Sequence, residues 1–315
     1  MRRDSDGLWA ITSYFNPIGY ARRLHNYRIF RRHLTVPLVT VELAFDDGFA
    51  LGPDDADILV RVRGGDVMWQ KERLLNVALS HVPSHCDRIA WVDCDVVFGA
   101  DDWPDRAGRA LDDHAFVQLF HERHDLQREM SLDDGRFRAG GAPYVSSMYT
   151  IATGQASAED LARPGILLDH RSSPGLAWAG RRHILESHGL YDVCITGGAD
   201  RSFICAAAGA FDAGRRAQQM NPLSAAHYLR WARPFFEVVR GQVGCIEGRV
   251  FHLWHGDLAD RKYDERFAAL ADFDPFTDIA VNAHGSWSWA SNKGELHARL
   301  ARYFRDRDED GARAG

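Results

Sequence analysis

Ile89-Ala90-Trp91-Val92 is a wholly apolar run that passes without a break into Asp93-Cys94-Asp95 and then Val96-Val97-Phe98. Such a run reads as a buried strand, covered on both faces as in a parallel sheet. The acids then stand at its carboxyl end, where open α/β sheets bind their ligands. Successive strand side chains point to opposite faces, so Asp93 and Asp95 are expected on one side and Cys94 on the other. Two carboxylates so placed repel and are costly to desolvate unless a cation joins them. A divalent metal carrying a diphosphate resolves that conflict. The bland alternative is a surface turn with two solvated aspartates, and the apolar flanks weigh against it.

Elements of both kinds alternate around this strand. Residues 8–14 read as a first strand closed by Asn16-Pro17, and 20–33 as an arginine-rich helix. A second strand is expected over 38–45, with Val39, Val41, Leu43 and Phe45 on one face, and a third over 56–62. The clearest helix is 68–81, where Leu75, Ala78, Leu79 and Val82 form one apolar stripe and Pro83 ends it. A strand at 115–120, short helices at 184–190 and 200–208, and a late strand at 249–254 follow. The Gly-, Asp- and Ser-rich stretch 125–175 is expected to form long loops plus a hairpin. The tail after 263 is expected to be helical, ending in charged, frayed residues. This order argues for a mainly parallel sheet with helices on both faces.

Composition bounds the function classes. A chain of 315 residues that is 45% hydrophobic and 11% aromatic can bury a sizeable core. With 38 basic against 44 acidic side chains, net −6, nucleic-acid binding through bulk charge is disfavoured. No apolar stretch nears the roughly 20 residues that span a bilayer, and the first residues lack a signal-peptide apolar region. Five scattered cysteines form no CxxC pair, which fits a reducing compartment. A cytoplasmic protein is expected.

Two further constellations carry chemistry. Phe251-His252-Leu253-Trp254-His255-Gly256-Asp257 offers imidazole and carboxylate, donors that suit Mn²⁺, with Mg²⁺ also possible. Two histidines three apart do not share a strand face, so one of them is expected to serve; the alternative is a histidine that caps strand-end carbonyls. Ile195-Thr196-Gly197-Gly198-Ala199-Asp200 pairs glycines, which let a backbone approach a ligand, with an acid opening a helix. Asp200 either takes a proton from an attacking hydroxyl or serves as a helix N-cap. Trp178, in Trp178-Ala179-Gly180-Arg181-Arg182, is a stacking face for a sugar or a core tryptophan.

In their order, these pieces resemble a nucleotide-sugar glycosyltransferase of the GT-A type, close to the family 2-like group. The resemblance covers roughly 8–256. It is carried by Thr12-Ser13-Tyr14-Phe15-Asn16-Pro17, Met68-Trp69-Gln70-Lys71-Glu72-Arg73-Leu74-Leu75-Asn76, Asp93-Cys94-Asp95, Gly197-Gly198-Ala199-Asp200 and His252-Leu253-Trp254-His255. It implies a Rossmann-like, mainly parallel sheet flanked by helices, with a small antiparallel acceptor-side element and a helical C-terminal tail. The domain would span 1–260, with a nucleotide half of about 8–105 and an acceptor half of about 106–260, before a tail at 261–315.

By position, the resemblance makes Asp95 the principal metal ligand and sets Asp93 against the ribose or the metal. One late histidine would complete the coordination, His252 before His255. Thr12, Ser13 and Tyr14 would lie near the nucleoside, Glu42 at the base or ribose, and Arg63, Asp66, Lys71 and Arg73 around the donor edge. Trp178, Gly197 and Gly198 fall on the acceptor side. Where many relatives carry a Glu-Asp pair, this chain has Ala199-Asp200, a single acid.

The activity so implied is hexosyl-type transfer from a nucleotide-sugar, UDP-linked by expectation, to an unidentified hydroxyl acceptor. It would need Mn²⁺ or Mg²⁺, with Asp200 as base and inversion at the anomeric carbon. A metal-dependent nucleotidyltransferase or sugar-nucleotide pyrophosphorylase shares the sheet and the acids. Against it, Asn16-Pro17-Ile18-Gly19-Tyr20 has one glycine where a glycine-rich, basic loop is needed. A non-catalytic sugar-nucleotide binding module and an HxxH metallohydrolase are weaker alternatives, the latter lacking HExxH spacing. The aromatic segment 273–289 either folds over the acceptor cleft as a lid or caps the sheet.

Overall fold

The computed structural model describes residues 7–46, 48–128, 142–163, 171–261 and 266–311. Its strands are β1 (Leu8–Phe15), β2 (Leu38–Ala44), β3 (Ile58–Arg63), β4 (Arg88–Val92), β5 (Val96–Phe98), β6 (Phe116–Gln118), β7 (Glu122–Asp125), β8 (Tyr144–Ser146), β9 (Ser172–Ser173), β10 (Ala177–Arg181), β11 (Val243–Cys245), β12 (Arg249–His252), β13 (Ile279–Val281) and β14 (Trp287–Trp289). The helices are α1 (Ala21–His33), α2 (Lys71–Leu79), α3 (Trp103–Asp113), α4 (Ser147–Ala152), α5 (Arg182–His188), α6 (Ala199–Ala207), α7 (Phe211–Ala217), α8 (Pro222–Val239) and α9 (Gly294–Asp306).

The main sheet has the order β11-β6-β10-β4-β1-β2-β3. All its pairings are parallel except those of β10, which runs antiparallel to both β4 and β6. The central strands are largely apolar because both faces are covered, with Thr12, Ser13, Thr40 and Glu42 the buried polar residues of β1 and β2. Ile11 and Phe15 of β1 enter one core with Leu74, Leu75 and Ala78 of α2, while Leu8, Ala10 and Tyr14 enter a second with Tyr27 and Phe30 of α1 and Trp103 of α3. A smaller sheet, β5-β12-β7-β8-β9, mixes parallel and antiparallel pairs beside the carboxyl end of β4. No helix among the described residues is long and apolar enough to cross a membrane.

The tail departs from expectation. It carries a β13–β14 hairpin before α9, and Leu296, Leu300, Tyr303 and Phe304 of α9 join the first core. The hairpin docks beside β3, where the Asp66 amide donates to the Trp287 carbonyl (3.1 Å) and the Trp289 amide to Asp66 Oδ2 (2.8 Å). It caps the sheet and does not overhang the cleft described below. The charged end is not frayed where it is described: Arg307, Asp308 and Glu309 are buried. Asp310 carboxylate oxygens accept from the Ala21 and Arg22 amides, capping α1, whose own N-cap residue, Tyr20, makes no side-chain cap bond. The expected loops and hairpin at 125–175 fall in part on 129–141 and 164–170, outside the described residues, as do 262–265 and 312–315 of the tail.

Candidate active site

β4 ends at Val92, so Asp93-Cys94-Asp95 forms the turn into β5 and not the strand itself; the Val96 amide donates to the Asp93 carbonyl (3.2 Å). Asp93 and Asp95 still line one cavity, with Cys94 packed toward the second core. The acids are nevertheless divided between different partners.

Asp93 Oδ1 lies 2.8 Å from the Lys71 ammonium. That ammonium is also 3.4 Å from Asp200 Oδ2 and 3.8 Å from Glu72 Oε1. Lys71 opens α2, where the helix dipole disfavours a cation, and it is buried. Burial alone would lower its pKa, but Asp200, Asp93 and Glu72 hold it well above the usual lysine value. Burial pushes Asp93 up to about 6 against the pull of Lys71, and pushes Glu72 up to about 8. A cation placed against local helix electrostatics and shared by acids from three segments marks a site built for charge.

Asp95 faces the late histidines. Its Oδ2 lies 3.1 Å from His255 Nε2 and its Oδ1 3.9 Å from His252 Nε2, and the two Nε2 atoms are 3.2 Å apart. Both histidines therefore line the cavity. Strand alternation stops at His252, the last residue of β12, and the chain then turns back to bring His255 beside it. Gly256 makes this return possible at φ +88°, because a Cβ there would lie 2.9–3.0 Å from backbone of Arg307, Asp308 and Glu309.

Asp95, His252 and His255 each offer a donor atom within 4.8 Å of the others, and Asp93 does not belong to that group. Burial disfavours charge on Asp95, but His255 and His252 hold its pKa below the carboxylate range. Burial, with Arg261, pushes His255 down to about 4 against Asp95. An ionised carboxylate and a neutral imidazole near pH 7 are what a metal requires of its ligands. Asp95 Oδ1 is buried without a hydrogen-bond partner, a vacancy in its bonding that a cation satisfies. The residues fit a divalent ion.

Opposite this group, Gly198 is the N-cap of α6, and Gly197 and Gly198 take φ of +87° and +88°. Asp200 lies in the first turn of α6 and is not the N-cap; its carboxylate turns toward Lys71. Gly175 gives it room, since a Cβ there would stand 2.6 Å from Asp200 Oδ2.

Other expected site residues lie elsewhere. Trp178 is fully buried and stacks on Trp91 at 6.1 Å, so it is a core residue with no face for a sugar. Arg73 pairs with Asp192 (2.9 Å), and Asp66 holds the β13–β14 hairpin; neither lines the cavity. Thr12 Oγ1 donates to the Val92 carbonyl (2.7 Å), tying β1 to the end of β4, and Ser13 is buried beside it. Tyr14 and Glu42 border a separate pocket with Asn16 and Phe49, and Arg63 stacks on Phe49 at 4.4 Å. Glu42 Oε1 accepts from the Ala50 and Leu51 amides, while its buried Oε2 has no partner. Sequence reasoning passed over Arg266 and Arg307, which line the main cavity from the tail. Nothing local distinguishes them among so many arginines.

No family model matches the chain, and no curated protein does. Among solved structures it is similar to the mannosyltransferase PcManGT from Pyrobaculum calidifontis in complex with GDP-Man and Mn²⁺, at 16% identity over 98% of this chain and 76% of that one, TM-score 0.41. It is also similar to glucosyl-3-phosphoglycerate synthase from Mycobacterium tuberculosis with Mn²⁺, UDP and phosphoglyceric acid, at 12% identity over 86% and 80%, TM-score 0.38. A third is the 4-diphosphocytidyl-2C-methyl-D-erythritol synthase from Anaerococcus prevotii, at 9% identity over 78% and 88%, TM-score 0.37.

Proposed function

We propose that the protein is a metal-dependent glycosyltransferase that moves a hexosyl group from a nucleotide-sugar, UDP-linked by preference, to a hydroxyl acceptor with inversion. One observation carries the reading: Asp95, His252 and His255 converge on the same cavity as Asp200, with Asp93 and Lys71 between them. Metal donors and a carboxylate lining one cavity suit a reaction in which charge builds on a leaving diphosphate while a hydroxyl loses its proton.

Asp95, His252 and His255 would hold the ion, which when bound supplies Lewis-acid neutralisation of the leaving group's charge. Lys71 adds a fixed ammonium beside that path. Asp200 Oδ2 takes the acceptor's proton, and in-line displacement then inverts the anomeric carbon. The pocket of Tyr14, Asn16, Glu42 and Phe49 serves the nucleoside, its unpartnered Glu42 Oε2 being an acceptor for base or ribose.

A panel of nucleotide-sugars with Mn²⁺ and mixed hydroxyl acceptors tests the reading by product. Free nucleoside diphosphate with a new glycoside supports it; pyrophosphate with a sugar nucleotide replaces it with nucleotidyl transfer. Asp200→Asn should lower turnover by about 10²–10⁴ with donor binding retained, and near-normal turnover would remove Asp200 as base.

A further inference from the structure

His252 makes two sets of contacts through its two ring nitrogens. Nε2 faces Asp95 and His255, and Nδ1 lies 3.0 Å from Asp125 Oδ1. The second contact is built into the sheet, because β7 pairs parallel with β12 in a register that sets Asp125 opposite His252. Arg123, two residues earlier on β7, grips the same carboxylate through Nε–Oδ1 (2.6 Å) and Nη2–Oδ2 (2.9 Å). Its guanidinium in turn lies over the Tyr144 ring at 4.6 Å. Arg123 Nη2 also comes within 3.4 Å of His252 Nδ1, but its nearer acceptor is Asp125 Oδ2.

This geometry fixes a tautomer. Arg123 donates to both oxygens of Asp125 in the side-by-side pairing that a guanidinium makes with an ionised carboxylate. An ionised carboxylate only accepts hydrogen bonds, so the 3.0 Å contact places the proton on Nδ1. In the neutral ring Nε2 then carries a bare lone pair, aimed at Asp95 and the cavity. A carboxylate on the far nitrogen of a ligating imidazole sets the ring's orientation and raises its basicity.

We infer that Asp125, clamped by Arg123, is a positioning residue that locks His252 as its Nδ1–H tautomer and so presents Nε2 to a divalent cation. The inference rests on the proposed metal group of Asp95, His252 and His255. No motif marks it: Glu122-Arg123-His124-Asp125 reads as a plain charged stretch, and only the β7–β12 register brings it to the site.

The test joins two measurements on the full chain. Histidine ¹⁵N NMR of the metal-free protein reads the His252 tautomer, and electron paramagnetic resonance of free Mn²⁺ reads affinity, for wild type, Asp125→Ala and Asp125→Asn. Wild type should show His252 protonated at Nδ1. Asp125→Ala should lose that signature and bind Mn²⁺ about 10- to 100-fold more weakly. Asp125→Asn, whose amide oxygen still accepts from Nδ1, should lose less.

A wild-type ring protonated at Nε2 overturns the assignment, and this outcome stands even if the alanine variant fails to fold. Wild type that binds Mn²⁺ with an alanine variant within about twofold of it overturns the role of Asp125 alone, well short of the loss typical of such partners. Wild type that binds no Mn²⁺ overturns the metal group itself.

Discussion

Glu309 forms a two-pronged ion pair with Arg23 of α1, Nε–Oε2 at 2.5 Å and Nη2–Oε1 at 2.8 Å, across almost the whole length of the chain. Arg307 Nε adds a third contact at 2.7 Å, and Glu309 Oε2 lies 3.8 Å from His255 Nδ1. The carboxylate is fully buried. Burial disfavours its charge, but Arg23 and Arg307 hold its pKa well below the ordinary value. Glu309→Gln should therefore cost about 3–5 kcal/mol near pH 7, because it leaves two guanidinium groups without their counter-charge. A depressed pKa contributes stability above the unfolded value and loses it as pH falls, so the deficit should shrink below about pH 4. Urea unfolding of both proteins across that range reads the difference.

Gly175 shapes the position of Asp200. Its φ does not lie in the left-handed region, so an alanine is tolerated by the backbone, but the added methyl would sit 2.6 Å from Asp200 Oδ2. Gly175→Ala should lower kcat by about 10- to 100-fold, the scale of a misplacement near 1 Å. Thermal unfolding should move little. A large loss of stability with unchanged kcat would contradict the arrangement.

Removal of metal should silence transfer. Chelation with EDTA should abolish activity, and Mn²⁺ should restore it better than Mg²⁺ at equal concentration, because two of the three donors are imidazoles. Asp95→Asn should weaken Mn²⁺ binding by more than about 100-fold, beyond the 10- to 100-fold typical of an outer-shell change. Calorimetric titration of the metal into each protein measures this.

Glu72 gives a second pH test with the opposite sign. Burial raises its pKa to about 8 despite Lys71. A raised carboxyl pKa gives stability that is complete below the ordinary value and is lost as pH climbs toward 8. Glu72→Gln should therefore match wild type near pH 4 and exceed it near pH 9 by on the order of 1–3 kcal/mol. Denaturant midpoints at the two pH values decide it.

The central strands were legible because both faces are covered, so Ile89 to Val92 had to be apolar, as did Val39, Val41 and Leu43 on one face of β2. The stripe of α2 was legible for the same reason, Leu75, Ala78 and Leu79 being core residues. The antiparallel β10 was not: Ala177, Ala179 and Gly180 carry no β-branched signal, and Gly180 is small because a Cβ would strike the Phe116 ring at 2.3 Å. His255 was placed second to His252 because strand periodicity was carried past the end of the strand, where the chain turns back and brings the two Nε2 atoms together. Arg307 and Glu309 read as a solvated tail, since a charge run declares its partners only when the fold brings Arg23 to it. Asp66 and Arg73 were assigned to the donor edge through resemblance alone, while their contacts are with the tail hairpin and Asp192.

β10 runs against its neighbours, so its start lies beside the point where β4 finishes, and Gly175 and Leu176 reach the cavity from the opposite direction. One wall of the cleft is thus supplied by chain entering the sheet, and the other by chain leaving it. The two walls can be exchanged separately: grafting a different segment ahead of Ala177 would re-tailor what the cleft admits while the turn carrying Asp93 and Asp95 stays as it is.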